Sequence, residues 1–228
     1  MRAVTEHFHR GLTAMDARDW TRARDEFTAA SQLDPPEPQA STAAYDAGIA
    51  DANLGRYDDA AKNFRDAVAR DSGFLAAMAN LVAVDLRRND IAEARNVANR
   101  FVALAPDSAR AHYSRGLAAL AANDLATARD DFSQLLKSDP KYAVAHYDLG
   151  LTEERLGHFD AASSEFSAAL DLAPSYARAR FALGTIMLRN GDRAGAREAF
   201  DRAARDANDD PSLRSLAIEL RNAIAAIH

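Results

Sequence analysis

One spacing constrains this chain more than any other feature: residue types recur every 34 positions. Ala60, Ala94, Ala128, Ala162 and Ala196 keep that step, as do Phe132, Phe166 and Phe200, with Phe64 two steps before Phe132. Gly116, Gly150 and Gly184 repeat with it, as do Pro106, Pro140 and Pro174 and the aromatics Tyr113, Tyr147 and Phe181. Several residue types in one phase indicate a supersecondary unit copied along the chain. An earlier copy carries Gly11, Ala23, Phe27, Ala30 and Pro35 at the same mutual distances but three residues out of phase, which places an insertion at about Pro38-Gln39-Ala40. Six copies result, 4–37, 41–74, 75–108, 109–142, 143–176 and 177–210, with a remainder at 211–228.

Each copy reads as two helices. Alanine, the best helix former, supplies 53 of the 228 residues. In the fifth copy apolar residues keep helical spacing over Ala143–Arg155, Leu156-Gly157-His158 interrupts it, and Phe159–Leu172 resumes it. Ala173-Pro174 then stops the second helix, because the residue before proline is pushed out of the α region. Asp90, Asp124 and Asp192 stand just before second helices, where a carboxylate accepts the free amide hydrogens of the first turn. Gly150 and Ala162 fall where the paired helices would cross, so their backbones can approach, while Phe166 fills the space toward the next pair.

This pattern resembles the tetratricopeptide repeat family, whose unit is a 34-residue helix–turn–helix with small, aromatic and proline positions. The fifth copy carries it as Leu149-Gly150, Gly157, Phe159, Ala162, Phe166, Ala169 and Pro174, and the fourth as Gly116, Ala128, Phe132 and Pro140. The third copy departs, with Val82 for the glycine and Ala98 for the aromatic, which predicts looser packing there. The resemblance implies an all-α fold, a right-handed superhelical solenoid of stacked antiparallel helix pairs, with first helices lining a concave face and second helices a convex one. Leu213, Leu216, Ala217, Leu220, Ala223, Ile224 and Ile227 in the remainder then read as the inward stripe of a C-terminal capping helix, against the alternative of a truncated seventh repeat.

No motif for catalysis emerges. There is no Walker loop, no G-x-G-x-x-G, no H-E-x-x-H and no G-x-S-x-G elbow. The chain has no cysteine, which removes disulfides, thiolate metal sites and a cysteine nucleophile. His112 and His146 share one repeat place, which favours packing over metal ligation, and His7 and His9 are two apart and diverge on a helix. A non-enzyme with no cofactor and no metal is therefore expected. A net charge of −6 argues against nucleic-acid binding. No apolar run reaches the length of a membrane span, so no membrane insertion is expected. The N-terminal residues lack an apolar signal core, so a cytoplasmic protein is expected, or a periplasmic one if a leader has been removed. The excess of Arg (25) over Lys (3), with the alanine content, points to a GC-rich bacterial genome.

What remains is the groove. The resemblance implies that groove residues come from the second, fifth, ninth, twelfth and thirteenth places of each copy. These supply Tyr45 and Ile49, Tyr113 and Leu117, Tyr147 and Leu151, and Phe181 as an aromatic–aliphatic floor, which the third copy interrupts with Ala79 and Ala83. Arg110 and Arg178 at second places, with Arg155 and Arg189 at thirteenth places, give charged rims to the C-terminal half. A chaperone-type carboxylate clamp would need Lys at a fifth place and Asn at a ninth place, and neither occurs. The expected function is a non-catalytic protein–protein interaction scaffold that binds a peptide or helix with apolar anchors and some acidic groups. The alternatives are a self-associating, homo-oligomeric assembly protein using groove and C-terminal helix, and, less favoured, an RNA binder.

Overall fold

The computed structural model describes residues 2–226, and these contain thirteen helices and no strand. The first copy supplies α1 (Arg2–Asp16) and α2 (Trp20–Gln32), the second α3 (Gln39–Asn53) and α4 (Tyr57–Arg70), and the third α5 (Leu75–Arg87) and α6 (Ile91–Leu104). The fourth supplies α7 (Ala109–Ala121) and α8 (Leu125–Ser138), the fifth α9 (Ala143–Leu156) and α10 (Phe159–Leu172), and the sixth α11 (Ala177–Arg189) and α12 (Arg193–Asp206). The remainder forms α13 (Pro211–Ala226). The chain divides into two compact units, one up to Ala122 and one from Asn123, so the division falls between the two helices of the fourth copy. Within each unit, helices adjacent in sequence pack together.

Local chemistry sets the helix ends. Asp90, Asp124 and Asp192 accept from the backbone N–H of Glu93, Thr127 and Gly195, and Asp19 caps α2 in the same way through Arg22. The turn inside every copy puts the fifteenth place in the left-handed region. Gly55, Gly157 and Gly191 fill it in three copies, at φ 74°, 83° and 84°, and Arg18, Asn89 and Asn123 in the others, at φ 56° to 59°.

The helix pairs close on a glycine. A Cβ at Gly11, Gly48, Gly150 or Gly184 would lie 2.8, 2.7, 2.6 or 3.0 Å from the ring of Phe27, Phe64, Phe166 or Phe200, so the phenylalanine packs directly on helix backbone. All four rings are at most 1% exposed. In line with the expectation of looser packing, α5 and α6 of the third copy approach each other over less of their length than the paired helices of the first, second, fifth and sixth copies. Val82 and Ala98 are both buried, so the volumes of the pair are exchanged across the interface, and Phe101, one turn further along α6, supplies a buried ring. The inserted Pro38-Gln39-Ala40 lengthens a first helix: α3 has 15 residues, α5 only 13.

The C-terminal helix packs on α12 through Ala217, Leu220 and Ile224, which meet Ala196, Phe200 and Ala203. Two residues of the expected stripe face outward instead: Leu216 is 45% exposed and Ala223 is also exposed. Residues 217, 220 and 224 line one helix face, whereas 216 and 223 both fall to the same side of it, roughly a quarter turn from its middle. Ile227 and His228 lie outside the described residues.

Asp46, on α3 at the sixth place of the second copy, is a half-buried carboxylate. Burial alone pushes its pKa from the ordinary 3.8 up to about 6. Its raised value means that the native state holds this proton over a range where the unfolded chain has lost it. The associated stability is present at acid pH and falls as pH rises through about 4 to 6.

Two outcomes are expected. Gly150→Val alone should destabilise the protein by about 1–3 kcal/mol through overpacking, and Phe166→Ala alone by about 3–5 kcal/mol through loss of a buried ring. The double variant, which recreates the Val82/Ala98 arrangement, should lose clearly less than the sum in urea melts; strict additivity would mean the two places are not coupled. Asp46→Asn should raise stability by on the order of 1–3 kcal/mol near pH 8 and lose that gain near pH 4. Thermal melts at the two pH values would check it, and a gain that persists at acid pH would contradict the burial argument.

Candidate interaction face of the first helices

The fifth-place ring of a copy lies against that copy's buried phenylalanine. Phe8 meets Phe27, Tyr45 meets Phe64 and Tyr147 meets Phe166, each with centroids 5.8 Å apart, and Phe181 meets Phe200 at 5.2 Å. The glycine three residues later explains this, because it lets the phenylalanine slide under the first helix and touch the ring one turn back. Each fifth-place ring is therefore half-buried, with one part packed on the core and the rest open.

In the N-terminal unit, Tyr45, Ile49, Tyr113 and Leu117 are all half-buried. Tyr45 and Ile49 border the hydrophobic core that includes Phe64. Between α3 and α5 the face opens into a cavity of about 290 Å³, lined among others by Ile49, Tyr57, Asn80, Ala83 and Arg87. The small Ala83, which interrupts the expected floor, is what leaves this hollow. Around it runs a polar chain that the repeat places alone did not suggest. Arg110 donates to Asn80 Oδ1 at 3.0 Å, and Asn80 Nδ2 donates to the Tyr45 hydroxyl at 3.3 Å. Arg87 stands over the Tyr57 ring, 5.5 Å from its centroid. Asn80 sits at a sixth place, outside the places considered for a groove, and Tyr57 opens a second helix. The single sequence signal for the hollow was the pair of small residues Ala79 and Ala83.

In the C-terminal unit, Tyr147 and Leu151 are half-buried and pack against a cluster formed by Ala162, Phe166, Ala182 and Ile186, while Phe181 is half-buried beside Phe200. Tyr176, the residue preceding α11, lies on Tyr147 with centroids 5.0 Å apart. Burial, then the nearby Asp148 carboxylate, pushes both phenols upward, so they remain hydroxyl donors. Burial also pushes Glu154 upward, against the pull of Arg155 and Arg189.

The four expected rim arginines are all exposed but do different things. Arg178 bonds to Asp210 at 2.9 Å. Arg189 is stacked on Phe159 at 3.6 Å from the ring centroid, a placement that ties α11 to the preceding helix pair. Arg110 is engaged with Asn80, as above, and Arg155 stands beside Glu154.

The fourth-place histidines join each first helix to its surroundings. His7 Nδ1 is 2.7 Å from Glu26, and His146 Nδ1 is 2.6 Å from Glu165, the same place of its copy. His112 and His146 also reach the carbonyls of Pro106 and Pro140 through Nε2, at 2.8 and 3.1 Å. Among the described residues, no group of three or more His, Asp or Glu could hold a metal ion, and no helix is long and apolar enough to cross a membrane.

Comparison with known proteins agrees with this geometry. No curated protein matches the chain. Solved structures do share its fold. A tetratricopeptide repeat protein from Parabacteroides merdae is 16% identical, with 99% of this chain and 100% of that one covered at a TM-score of 0.70. A thermophilic protein of the same kind from Thermus thermophilus is 23% identical, covering 79% of this chain and 98% of that one at 0.68. YrrB, described as a TPR protein with an unusual peptide-binding site, is 18% identical, covering 85% and 97% at 0.61. The sequence profile for the tetratricopeptide repeat matches residues 8–73, 45–86, 80–143 and 147–211. A profile matched along nearly the whole chain, over helix pairs closed by a repeating glycine–phenylalanine contact, is decisive: the chain belongs to the tetratricopeptide repeat family.

Proposed function

We propose that this protein is a non-catalytic interaction module whose first-helix face takes an extended or helical segment of a partner protein. The observation that carries this reading is the hollow between α3 and α5. It joins apolar walls at Ile49 and Ala83 to polar groups at Asn80 and Arg87, all on the face formed by the first helices. Apolar anchoring with a few fixed donors is the chemistry of peptide recognition. The fold supports it by analogy, since YrrB, of the same fold, is described as having a peptide-binding site. The half-buried Tyr147, Leu151 and Phe181 form the same kind of floor in the C-terminal unit, where the exposed Arg155 would attract acidic groups, while Arg178 is paired with Asp210. Arg189, stacked on Phe159, contributes more to the fold than to steering.

A second reading, self-association, has one observation in its favour: Leu216 and Ile218 on α13 are 45% and 37% exposed. Sedimentation of the wild type and Leu216→Glu over a range of concentrations distinguishes it, because only a self-associating chain would change its mass with that substitution.

For the leading reading, a partner recovered by affinity capture is titrated by calorimetry against two variants. Ala83→Trp should fill the hollow and Arg87→Glu should reverse its charge, each weakening binding by about tenfold or more. Tyr147→Ala with Arg155→Glu tests the C-terminal unit in the same assay. Unchanged affinity in all these variants, with unchanged circular dichroism, would move the binding site off the first-helix face.

A further inference from the structure

The first copy differs from the second and fifth at one point of this face. In the second and fifth copies the last residue of the copy, just before the next first helix, is aromatic and lies on the fifth-place ring. Phe74 lies on Tyr45 with centroids 4.8 Å apart, and Tyr176 on Tyr147 at 5.0 Å. The corresponding residue of the first copy is Glu37, which is engaged elsewhere: it accepts from the backbone N–H of Ser41 and pairs with Arg70. The inserted Pro38-Gln39-Ala40 then leads directly into α3. Phe8 keeps its core contact with Phe27, but this connection supplies no second ring. Beside Phe8 there is instead an open cavity of about 280 Å³, walled by Val4 and Phe8 of α1, Pro36 and Pro38 of the connection, and Gln39 and Thr42 of α3.

The character of these walls narrows what fits. They are largely apolar carbon, and they stand where two other copies place an aromatic ring of their own. A ring entering here would pack on Phe8 as Phe74 packs on Tyr45, an arrangement with more attraction than an aliphatic group of similar area gains. Charge adds a second constraint. Asp46 lies one turn beyond Thr42 on the same face of α3 and makes no ion pair among the described residues, whereas Asn80, at the same place of the next copy, is held by Tyr45 and Arg110. A carboxylate beside an apolar cavity is complementary to a cationic group.

We infer that this cavity takes an aromatic side chain of a partner polypeptide, with a basic residue next to it in the partner's chain. The inference rests on the reading of the first-helix face as a polypeptide-binding surface, and names one residue pair that such a partner presents. Glu37 and the connection at Pro36–Pro38 then give the face selectivity here, because they leave open to a partner's ring a place that the second and fifth copies close with their own.

The test uses the full chain and small probes: N-acetyl-tyrosyl-argininamide, with N-acetyl-leucyl-argininamide and N-acetyl-tyrosyl-glutamide for comparison, titrated at low salt and neutral pH. Amide resonances of Val4, Phe8, Gln39 and Thr42 report binding. The tyrosyl-arginine probe should shift them saturably and bind at least about fivefold tighter than the leucyl probe, the effect of one ring–ring contact. It should also bind severalfold tighter than the glutamyl probe. Asp46→Asn should remove the second difference and leave the first. Thr42→Trp, which offers the cavity a ring from α3, should abolish the titration while the chain stays folded by circular dichroism. Equal binding of the leucyl probe, shifts centred elsewhere, or a titration unaffected by Thr42→Trp would overturn the inference; a preference for arginine that survives Asp46→Asn would overturn its basic half. Because these titrations need no partner, a negative result removes this pocket alone and leaves the face to the Ala83→Trp and Arg87→Glu measurements.

Discussion

The approach of a phenylalanine ring to a glycine with no side chain is the contact on which the rest of this structure depends. A single methyl group at Gly48 or Gly150 would meet the ring at 2.7 or 2.6 Å, closer than carbon atoms can pack. The absence of that methyl lets the two helices of a copy close, and closure is what buries the ring. One helix pair cannot cover its own apolar side, so the buried ring also needs the next pair. The third copy reaches the same end with the volumes reversed, Val82 opposite Ala98, and recovers a buried ring at Phe101. What is constrained is therefore the summed volume across the interface, more than the identity of either residue.

That contact also shapes the exposed face. The fifth-place ring of Phe8, Tyr45, Tyr147 or Phe181 rests on the buried phenylalanine, so it is fixed in place before any partner arrives. Rings held in this way lose little freedom on binding. Variation between copies then lies in what surrounds them. Tyr147 is covered in part by Tyr176 and Tyr45 by Phe74, whereas Phe8 borders an open cavity and Ala83 leaves a hollow next to Ile49. The places that distinguish this chain as a binding surface are those where it departs from its own repeat.

Polar groups join the copies in a similarly regular way. Asp85 is fully buried, and it is held by Arg65 of the preceding copy at 2.9 Å and by Arg88 at 2.8 Å. Burial raises its pKa against the pull of both guanidiniums. Removing one arginine would leave a buried charge underpaired, which costs more than forming the bridge gains in net stability. Arg87 on Tyr57 and Arg189 on Phe159 link copies in the same sense, each from the end of a first helix to the start of the preceding second helix.

The sequence by itself determined the helix pairs and their ends and marked Gly150 as a place of close approach, whereas only the structure put the ring of Phe166, from the same copy, against it. These arise from residues within a single copy, so the period displays them repeatedly: capping by Asp90, Asp124 and Asp192 and burial of Phe166 were legible for that reason. It also put Tyr45, Tyr147 and Phe181 at one repeat place, and the structure leaves all three half-buried there. Which partner holds each arginine was not legible, nor was the outward turn of Leu216, the hollow at Ala83 or the cavity beside Phe8. Those features rest on contacts between copies: Tyr45 with Asn80 is 35 residues apart, Arg87 with Tyr57 is 30 and Arg178 with Asp210 is 32. A repeat pattern specifies what each residue does inside its own unit, but a cavity is defined by side chains from several units at once. Only the tertiary structure decides whether a neighbouring ring, as at Tyr45, or open space, as at Phe8, lies beside each one.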